Sequence, residues 1–436
     1  MKRSIRHMIL AAALTSLLLL TGCTLGGSVE SLFTLPQLPE KYRQLSAVLE
    51  SLLDAGNTYL TPAEGVNIES VQMVDLDGDS EKEAVVLLQH NGDSKPLKVM
   101  VFRQTDSDFK PVCTIENAGT GIDRIDYPDM NCDGVAELVI GWRGEEDQRR
   151  VCVYRMEQAD QPLLKSEYEE YLLADLVGDG TTGLFLLRED SEVHTVAECY
   201  IWQNSMLRLN RTCRINSDID AIRRGSVVSG YLQSGVPAVF VTGIQDKDTA
   251  TTAVLVWKSG NMVNVASESA AYRYCHLDPQ DIDGDGATEI PCRLSTVDDA
   301  ESSTGKDMLV NWLRYDEQGE TKKAAETYHC QSYGWYMTCP EEYWDQITVN
   351  SRDMISGENR VEFSLRGIPF AALYSITCEN RESRAQIDAR FIVKRLPGTI
   401  YAGEIYDVDT DNGEAVEAFR QNFSLIVDTW DTAGKE

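Results

Sequence analysis

The chain has 436 residues, of which 70 are acidic and 40 basic, so its formal net charge is -30 at pH 7. A hydrophobic fraction of 42% and a charged fraction of 25% are typical of globular proteins, and the length predicts about two or three domains. The acidic excess argues against a nucleic acid partner and against adhesion to anionic lipid, because both need clustered Lys and Arg.

Residues 1–22 are typical of an export signal. Three basic residues precede an apolar run at 9–20, which is shorter than the ~20 residues that a membrane-spanning helix needs. The letters LTGC, which end at Cys23, resemble a bacterial lipobox. The resemblance implies cleavage before Cys23, a lipid on its thiol, and anchoring at the extracytoplasmic face of a bacterial membrane. An ordinary secretory signal is the alternative.

Residues 23–38 are predicted to be a tether, because they contain Gly and Pro and have no hydrophobic period. Residues 39–56 are predicted to form an amphipathic helix. Its apolar positions recur at helical spacing and are Tyr42, Leu45, Val48, Leu49, Leu52 and Leu53. This stripe favours packing on the following domain, and binding of a partner protein is the alternative.

Residues 62–330 contain an internal repeat, in which an acidic loop precedes an apolar run typical of a strand. The copies begin at residues 75, 129, 175, 229 and 281, so successive copies lie 54, 46, 54 and 52 residues apart. In the most complete copies, acids stand at positions 1, 3, 5 and 9, as in DLDGDSEKE from Asp75 to Glu83. The intervals read as short strands and turns, which predicts a sheet of about four strands per repeat.

Alternating carboxylates in a tight loop suit a hard divalent cation, because Ca²⁺ takes about six to eight oxygen ligands. Glycine at position 4 or 6 allows the sharp turn that directs the carboxylates inward. A helix–loop–helix calcium hand is disfavoured, since its closing glutamate stands about three positions later and a helix follows it.

The loops resemble those of FG-GAP/VCBS-type repeats, as in integrin-α-like propellers. The resemblance implies a mainly β fold, in which residues 62–330 form a β-propeller with blades of about 50 residues and structural calcium in the loops. The implied calcium ligands are Asp75, Asp77, Asp79 and Glu83; Asp129, Asn131, Asp133 and Glu137; and Asp281, Asp283, Asp285 and Glu289. The third copy keeps Asp175 and Asp179 as weaker ligands, and the fourth is expected to bind no metal.

The three complete loops are expected to differ in calcium affinity. The loop at Asp281 has acids at all four positions and Gly at both positions 4 and 6. The loop at Asp75 has Ser80 at position 6, and the loop at Asp129 has the neutral Asn131 at position 3. Because ligand charge tunes calcium affinity, the expected order is the loop at 281, then 75, then 129.

Residues 331–436 contain no such loop and are predicted to form a separate, small α+β domain. A hairpin turn is predicted at 396–399, where Pro and Gly separate two strand-like runs. Apolar residues at helical spacing predict a helix over 413–430.

No motif in the sequence identifies an enzyme, since HExxH, GxSxG and the P-loop are absent and no GxGxxG directly follows a predicted strand. Ten cysteines besides Cys23 form no CxxC pair, and buried thiols are favoured over disulfides because most lie in apolar runs. The sequence favours a non-catalytic, calcium-stabilised surface lipoprotein that binds a protein or glycan. A lyase-like carbohydrate-active enzyme on the same scaffold is the alternative, because abundant acids hide any catalytic pair.

Overall fold

The computed structural model describes residues 40–105, 108–190, 195–215, 219–244, 249–266, 272–273, 277–294, 307–355, 357–387, 389–406 and 413–426. The predicted signal, the tether and Cys23 lie outside these residues. The described chain is mainly β, as the sequence predicts, with several antiparallel sheets and three helices. Within the described ranges, no helix is long and apolar enough to cross a membrane.

The strands form six antiparallel sheets, and each sheet is built almost entirely from strands that follow one another in the chain. The first sheet comprises β1 (Thr58–Tyr59), β2 (Val71–Val74), β3 (Glu83–Gln89), β4 (Leu97–Gln104) and β5 (Phe109–Asn117). The second comprises β6 (Gly121–Asp126), β7 (Leu138–Arg143), β8 (Arg149–Tyr154) and β9 (Leu164–Glu167). The third comprises β10 (Glu170–Ala174), β11 (Gly183–Glu189), β12 (Thr195–Gln203) and β13 (Met206–Ile215).

The remaining three sheets each have five strands. The fourth comprises β14 (Ile222–Tyr231), β15 (Pro237–Ile244), β16 (Thr249–Lys258), β17 (Asn261–Asn264) and β18 (Tyr272–Arg273). The fifth comprises β19 (Ile290–Arg293), β20 (Met308–Tyr315), β21 (Thr321–Cys330), β22 (Trp335–Thr338) and β28 (Phe423–Leu425). The sixth comprises β23 (Ile347–Ile355), β24 (Glu358–Leu365), β25 (Ile368–Ile376), β26 (Arg390–Leu396) and β27 (Thr399–Ile405).

The sheets pack face to face in chain order, because their central strands are apolar on both faces. In β3, Val85 and Leu87 face the second sheet, whereas Ala84 and Val86 lie on the opposite face. Further apolar clusters join the second sheet to the third, the third to the fourth, the fourth to the fifth and the fifth to the sixth. The core is therefore a series of layers between neighbouring sheets.

Helices cover the outer faces of the first and sixth sheets. Helix α1 (Glu40–Asp54) confirms the predicted N-terminal helix, and its Leu45 is buried against the outer face of the first sheet. It ends before Gly56, whose φ of +89° is the left-handed conformation typical after a helix C-terminus. On the sixth sheet, Ala385 of the short helix α2 (Arg381–Ala385) packs with Ile376.

The fifth sheet extends across residue 330, where the sequence analysis placed a domain boundary. Strand β22 pairs with β21 through Cys330 and Trp335, and β28 then pairs with β22. Trp335 is fully buried in the cluster that joins the fifth and sixth sheets. The predicted hairpin is confirmed by the pairing of Leu396 with Thr399. Helix α3 (Gly413–Gln421) forms the first half of the predicted C-terminal helix, and β28 follows it.

All nine described cysteines are free thiols, and six of them are buried. Cys275 lies outside the described residues. Burial raises the pKa of Cys113 to about 11 and that of Cys199 to about 12, so these thiols are protonated at neutral pH. They behave as small apolar side chains of the core, which is the arrangement that the sequence favours.

Candidate metal centre

The five repeated segments are here called loops 1 to 5 and comprise residues 75–83, 129–137, 175–183, 229–237 and 281–289. Loops 1 to 4 each connect two paired antiparallel strands, and loop 5 leads directly into β19. In loops 1, 3 and 5 the residue before position 1 pairs with position 9, as in Val74 with Glu83 and Gln280 with Glu289. In loop 2 the N–H of Glu137 donates to the carbonyl of Pro128 at 2.8 Å. The four acidic loops therefore share one register.

The aspartate at position 1 organises the backbone of its loop. Asp281 accepts hydrogen bonds from the N–H groups of Gly284 at 2.8 Å and Gly286 at 2.9 Å. Asp75 accepts the equivalent bonds from Gly78 at 2.8 Å and Ser80 at 2.9 Å. Position 1 thus holds the loop closed in addition to any role as a metal ligand.

Position 6 requires a left-handed backbone, which is the reason for glycine in the loops. At position 6, Gly286 of loop 5 has a φ of +89° and Ser80 of loop 1 has a φ of +72°. Position 4 is also left-handed, and Cys132 of loop 2 has a φ of +58° there. A side chain in this conformation costs about 1 kcal/mol relative to glycine. The backbones of loops 1 and 2 are therefore more strained than that of loop 5.

The glutamate at position 9 is buried and joins the sheet to the loop. Its Oε2 accepts the N–H of position 2 in three loops, from Leu76 at 2.9 Å, from Met130 at 2.9 Å and from Ile282 at 3.2 Å. The sequence predicts that this glutamate is a metal ligand. Its geometry adds a second role, because it connects the start of the second strand to the loop.

Oxygen atoms from three acids come together in two of the loops. Carboxylate oxygens of Asp75, Asp77 and Glu83 lie within 4.8 Å of one another, and so do those of Asp281, Asp283 and Asp285. Among the described residues, no third group of this kind forms in loop 2, where Asn131 replaces an acid. Asp79 and Glu289 lie outside the two groups, and so do Asp129, Asp133 and Glu137. An oxygen-only donor set fits a hard cation such as Ca²⁺.

The negative charge of loop 5 acts on its own glutamate. Burial, together with the charges of Asp283 and Asp285, raises the pKa of Glu289 to about 7, although Ile282 and Arg314 oppose this shift. Burial likewise raises the pKa of Glu137 in loop 2. A cation held by these carboxylates would lower both pKa values, because it would stabilise the ionised form.

An arginine approaches each complete loop, and sequence reasoning did not identify it. Arg103 contacts Asp77 and lies 3.3 Å from Glu83, measured from Nε to Oε1. Arg314 lies 2.7 Å from Asp283, 2.7 Å from Asp285 and 3.0 Å from Glu289.

The arginine of loop 2 is more distant. Arg155 lies 3.5 Å from Glu137 and 3.8 Å from Asp133. The three arginines therefore differ in how closely they approach the carboxylates.

The loops touch one another in chain order and form a continuous row. The N–H of Ala136 in loop 2 donates to the carbonyl of Leu76 in loop 1 at 2.8 Å. Cys132 Sγ lies 3.8 Å from the carbonyl oxygen of Gly180 in loop 3. The N–H of Thr288 in loop 5 donates to the carbonyl of Tyr231 in loop 4 at 2.8 Å. A side chain at Gly178 in loop 3 would contact Pro237 in loop 4, which completes the row.

Loops 3 and 4 have lost most of the acidic pattern. Asp179 accepts hydrogen bonds from the N–H of Thr181 at 2.9 Å and from its hydroxyl at 2.6 Å, so it acts as a turn former. Val177 and Gly183 occupy two ligand positions of loop 3. In loop 4 the strands pair as far as Tyr231 and Pro237, which leaves a turn of residues 232–236 without an acid.

Two cavities lie away from the loops. One, of about 260 Å³, is lined mainly by apolar side chains such as Phe363, Phe370 and Phe419. The other, of about 180 Å³, is lined by three arginines, each paired with an acid at 2.6–3.2 Å. His329 is fully buried, and burial lowers its pKa to about 3, so it is not a base suited to proton transfer near neutral pH.

No family model matches the chain. No curated protein matches it either. Solved structures with some similarity include rhamnogalacturonan lyase YesW, at 13% identity and a TM-score of 0.32, covering 72% of this chain and 76% of that chain. The exotype rhamnogalacturonan lyase YesX has 13% identity and a TM-score of 0.26, covering 81% and 77%. Bacillus licheniformis rhamnogalacturonan lyase PL11 has 10% identity and a TM-score of 0.30, covering 84% and 95%.

Proposed function

We propose that this chain is an extracytoplasmic bacterial lipoprotein with FG-GAP/VCBS-type repeats, which binds calcium in loops 1 and 5 and a protein or glycan ligand without catalysis. The observation that carries the proposal is the pair of three-carboxylate groups in loops 1 and 5, which share positions 1 and 3 and add position 9 in loop 1 and position 5 in loop 5. Equivalent acidic loops in successive sheets are the arrangement expected of a repeat protein with a metal site in each unit.

The sheets are proposed to act as propeller-type blades. Their formation from consecutive strands and their packing in chain order support this assignment. The outer faces of the first and sixth sheets are covered by α1 and α2, which favours an open series of blades over a closed ring. Loops 1 to 5 then form a row along one edge of the series, where a ligand would meet several repeats together.

Two observations on the described residues lead us to propose a binding role ahead of the carbohydrate-active alternative. The buried His329 has a pKa too low for a general base at neutral pH, and the arginines of the polar cavity are already paired with acids. An enzyme of lyase type needs a base and free cationic groups that face its substrate. A calcium-stiffened scaffold needs neither.

Calcium is expected to stabilise the protein through loop 5 more than through loop 3. Asp285 and Asp179 each accept a backbone N–H two residues ahead at 2.9 Å, so both form the same turn. Only Asp285 belongs to a three-carboxylate group. In millimolar calcium we therefore expect Asp285→Ala to lower the melting temperature more than Asp179→Ala, because it removes up to about 2–3 kcal/mol of linked binding energy.

Thermal melts of the two variants and the wild type, in calcium and in chelator, measure this difference. The excess loss in Asp285→Ala should disappear in chelator. Equal losses in the two variants under both conditions would show that the aspartates act only as turn formers.

The lipid anchor is tested at Cys23. Cys23→Ser should shift the protein from the membrane to the soluble fraction or leave an uncleaved precursor, because no thiol would remain for lipid attachment. Fractionation and intact-mass measurement read out both results. An unchanged mass and membrane partition would contradict the assignment.

A further inference from the structure

Each complete acidic loop faces an arginine that lies on, or one residue beyond, the strand following the loop's own second strand. In the first sheet Ala84 pairs with Phe102, so the next step of the register places Glu83 opposite Arg103. In the fifth sheet Ile290 pairs with Leu313, so Glu289 stands opposite Arg314. The glutamate and the arginine therefore occupy corresponding positions in the two sheets.

The second sheet follows the same rule. Leu138 pairs with Tyr154, which places Glu137 opposite Arg155. All three complete loops thus contain the same cross-strand pair, although the arginine approaches the carboxylates to different extents.

The two incomplete loops lack both members of the pair. In the third sheet the register places Gly183 opposite Ile201, and in the fourth it places Pro237 opposite Trp257. The arginine thus occurs in the copies that keep the acidic pattern and is absent where that pattern is lost. This joint occurrence links the arginine to the charge of the loop and not to the folding of the sheet, because all five sheets form.

Resting on the proposed calcium sites, we propose that Arg103, Arg155 and Arg314 are internal counter-ions, which compete with a divalent cation for the loop carboxylates. Each arginine places one positive charge beside acids that a cation would also need. The competition lowers the calcium affinity of the loop and keeps the carboxylates from repelling one another when no cation is bound.

The contacts predict where this effect is largest. Arg314 contacts three acids at 3.0 Å or less and is only 9% exposed, so its charge is poorly screened by solvent. Arg155 lies 3.5 Å or farther from its two acids. Loop 5 has the most favourable ligand set, and it also has the strongest internal competitor.

The test compares calcium binding of the wild type, Arg314→Gln and Arg155→Gln by calorimetric titration, with Arg188→Gln as a control. Arg188 pairs with the buried Glu198 at 2.6 Å but does not contact an acidic loop. Removing one unit charge at this distance is expected to tighten the calcium Kd of loop 5 about tenfold in Arg314→Gln. Arg155→Gln should have a smaller effect, and Arg188→Gln should leave every Kd unchanged.

Thermal melts provide a second readout. In chelator Arg314→Gln should melt below the wild type, and calcium should remove or reverse this difference. Should Arg314→Gln fail to fold, Arg103→Gln serves in its place, since Arg103 has a side chain 40% exposed.

The outcomes separate the inference from the proposed function. Calcium binding by the wild type with an unchanged or weaker Kd in the arginine variants overturns the counter-ion role and leaves the calcium sites standing. Calcium binding only in the variants supports the competition. The absence of binding in every protein overturns both proposals.

Discussion

Gly78→Ala is expected to destabilise the protein by about 2–4 kcal/mol. Gly78 has a φ of +74°, and a Cβ built on it would lie 2.3 Å from the carbonyl oxygen of Gly134 in loop 2. The left-handed backbone contributes about 1 kcal/mol of this cost and the steric clash the rest. Because the obstacle is backbone, loops 1 and 2 must separate to admit the methyl group.

Gly134→Ala is the matched control. Gly134 has a similar φ of +86°, but a Cβ at this position would have no atom within 4 Å. We expect it to cost only the backbone contribution of about 1 kcal/mol. Urea unfolding of both variants measures the difference, and an equal loss would mean that the two loops are not in contact.

Glu358→Ala is expected to cost about 3–5 kcal/mol, which is the largest effect we predict for a single charged residue. Glu358 is fully buried, and it accepts hydrogen bonds from Arg384 of α2 at 2.5 Å and from Arg390 of β26 at 3.1 Å. Its loss leaves two guanidinium groups without their carboxylate, and Arg390 is itself only 8% exposed. The substitution should therefore detach α2 from the sixth sheet.

The pKa of Glu358 gives the pH dependence of this interaction. Burial raises the pKa, but the hydrogen bonds and charges of Arg384 and Arg390 lower it below the ordinary value of 4.5. The stabilisation is present above that value and is lost as the pH falls through the folded-state pKa.

Glu382→Ala is the control for Glu358→Ala. Glu382 lies in the same helix, but its ion pair with Arg395 is 3.4 Å long and both side chains are more than half exposed. Exposed pairs of this kind contribute about 0–1 kcal/mol. Chemical denaturation of the two variants compares them directly, and losses of similar size would contradict the buried role of Glu358.

Local pattern was sufficient to predict several features of this protein. The stripe from Leu45 to Leu52 predicted α1, because a helix places residues three and four apart on one face. The residues between Leu396 and Thr399 predicted a hairpin from the properties of Pro and Gly alone. The alternating acids of loops 1 and 5 predicted their clustering, because the ligands belong to one short segment whose turn is fixed by the same residues.

Other features depend on contacts between distant segments. From the glutamate to its arginine the chain runs 20 residues in loop 1 (83 to 103), 18 in loop 2 (137 to 155) and 25 in loop 5 (289 to 314). No constant spacing marks the pair, because the intervening hairpins differ in length, and only strand register brings the two residues together.

The extent of the fifth sheet also depends on contacts between segments that are distant in the chain. The acidic loops stop before residue 330, but Trp335 and Phe423 join the cluster between the fifth and sixth sheets. A strand can join a sheet only where an edge strand still has unpaired N–H and C=O groups, and which strand forms that edge is known only once the sheet has folded. The sequence by itself therefore determined the repeated loops and the local helices and turns. The tertiary structure decided which charges face those loops and where the sheets end, because both depend on segments that are remote in the chain.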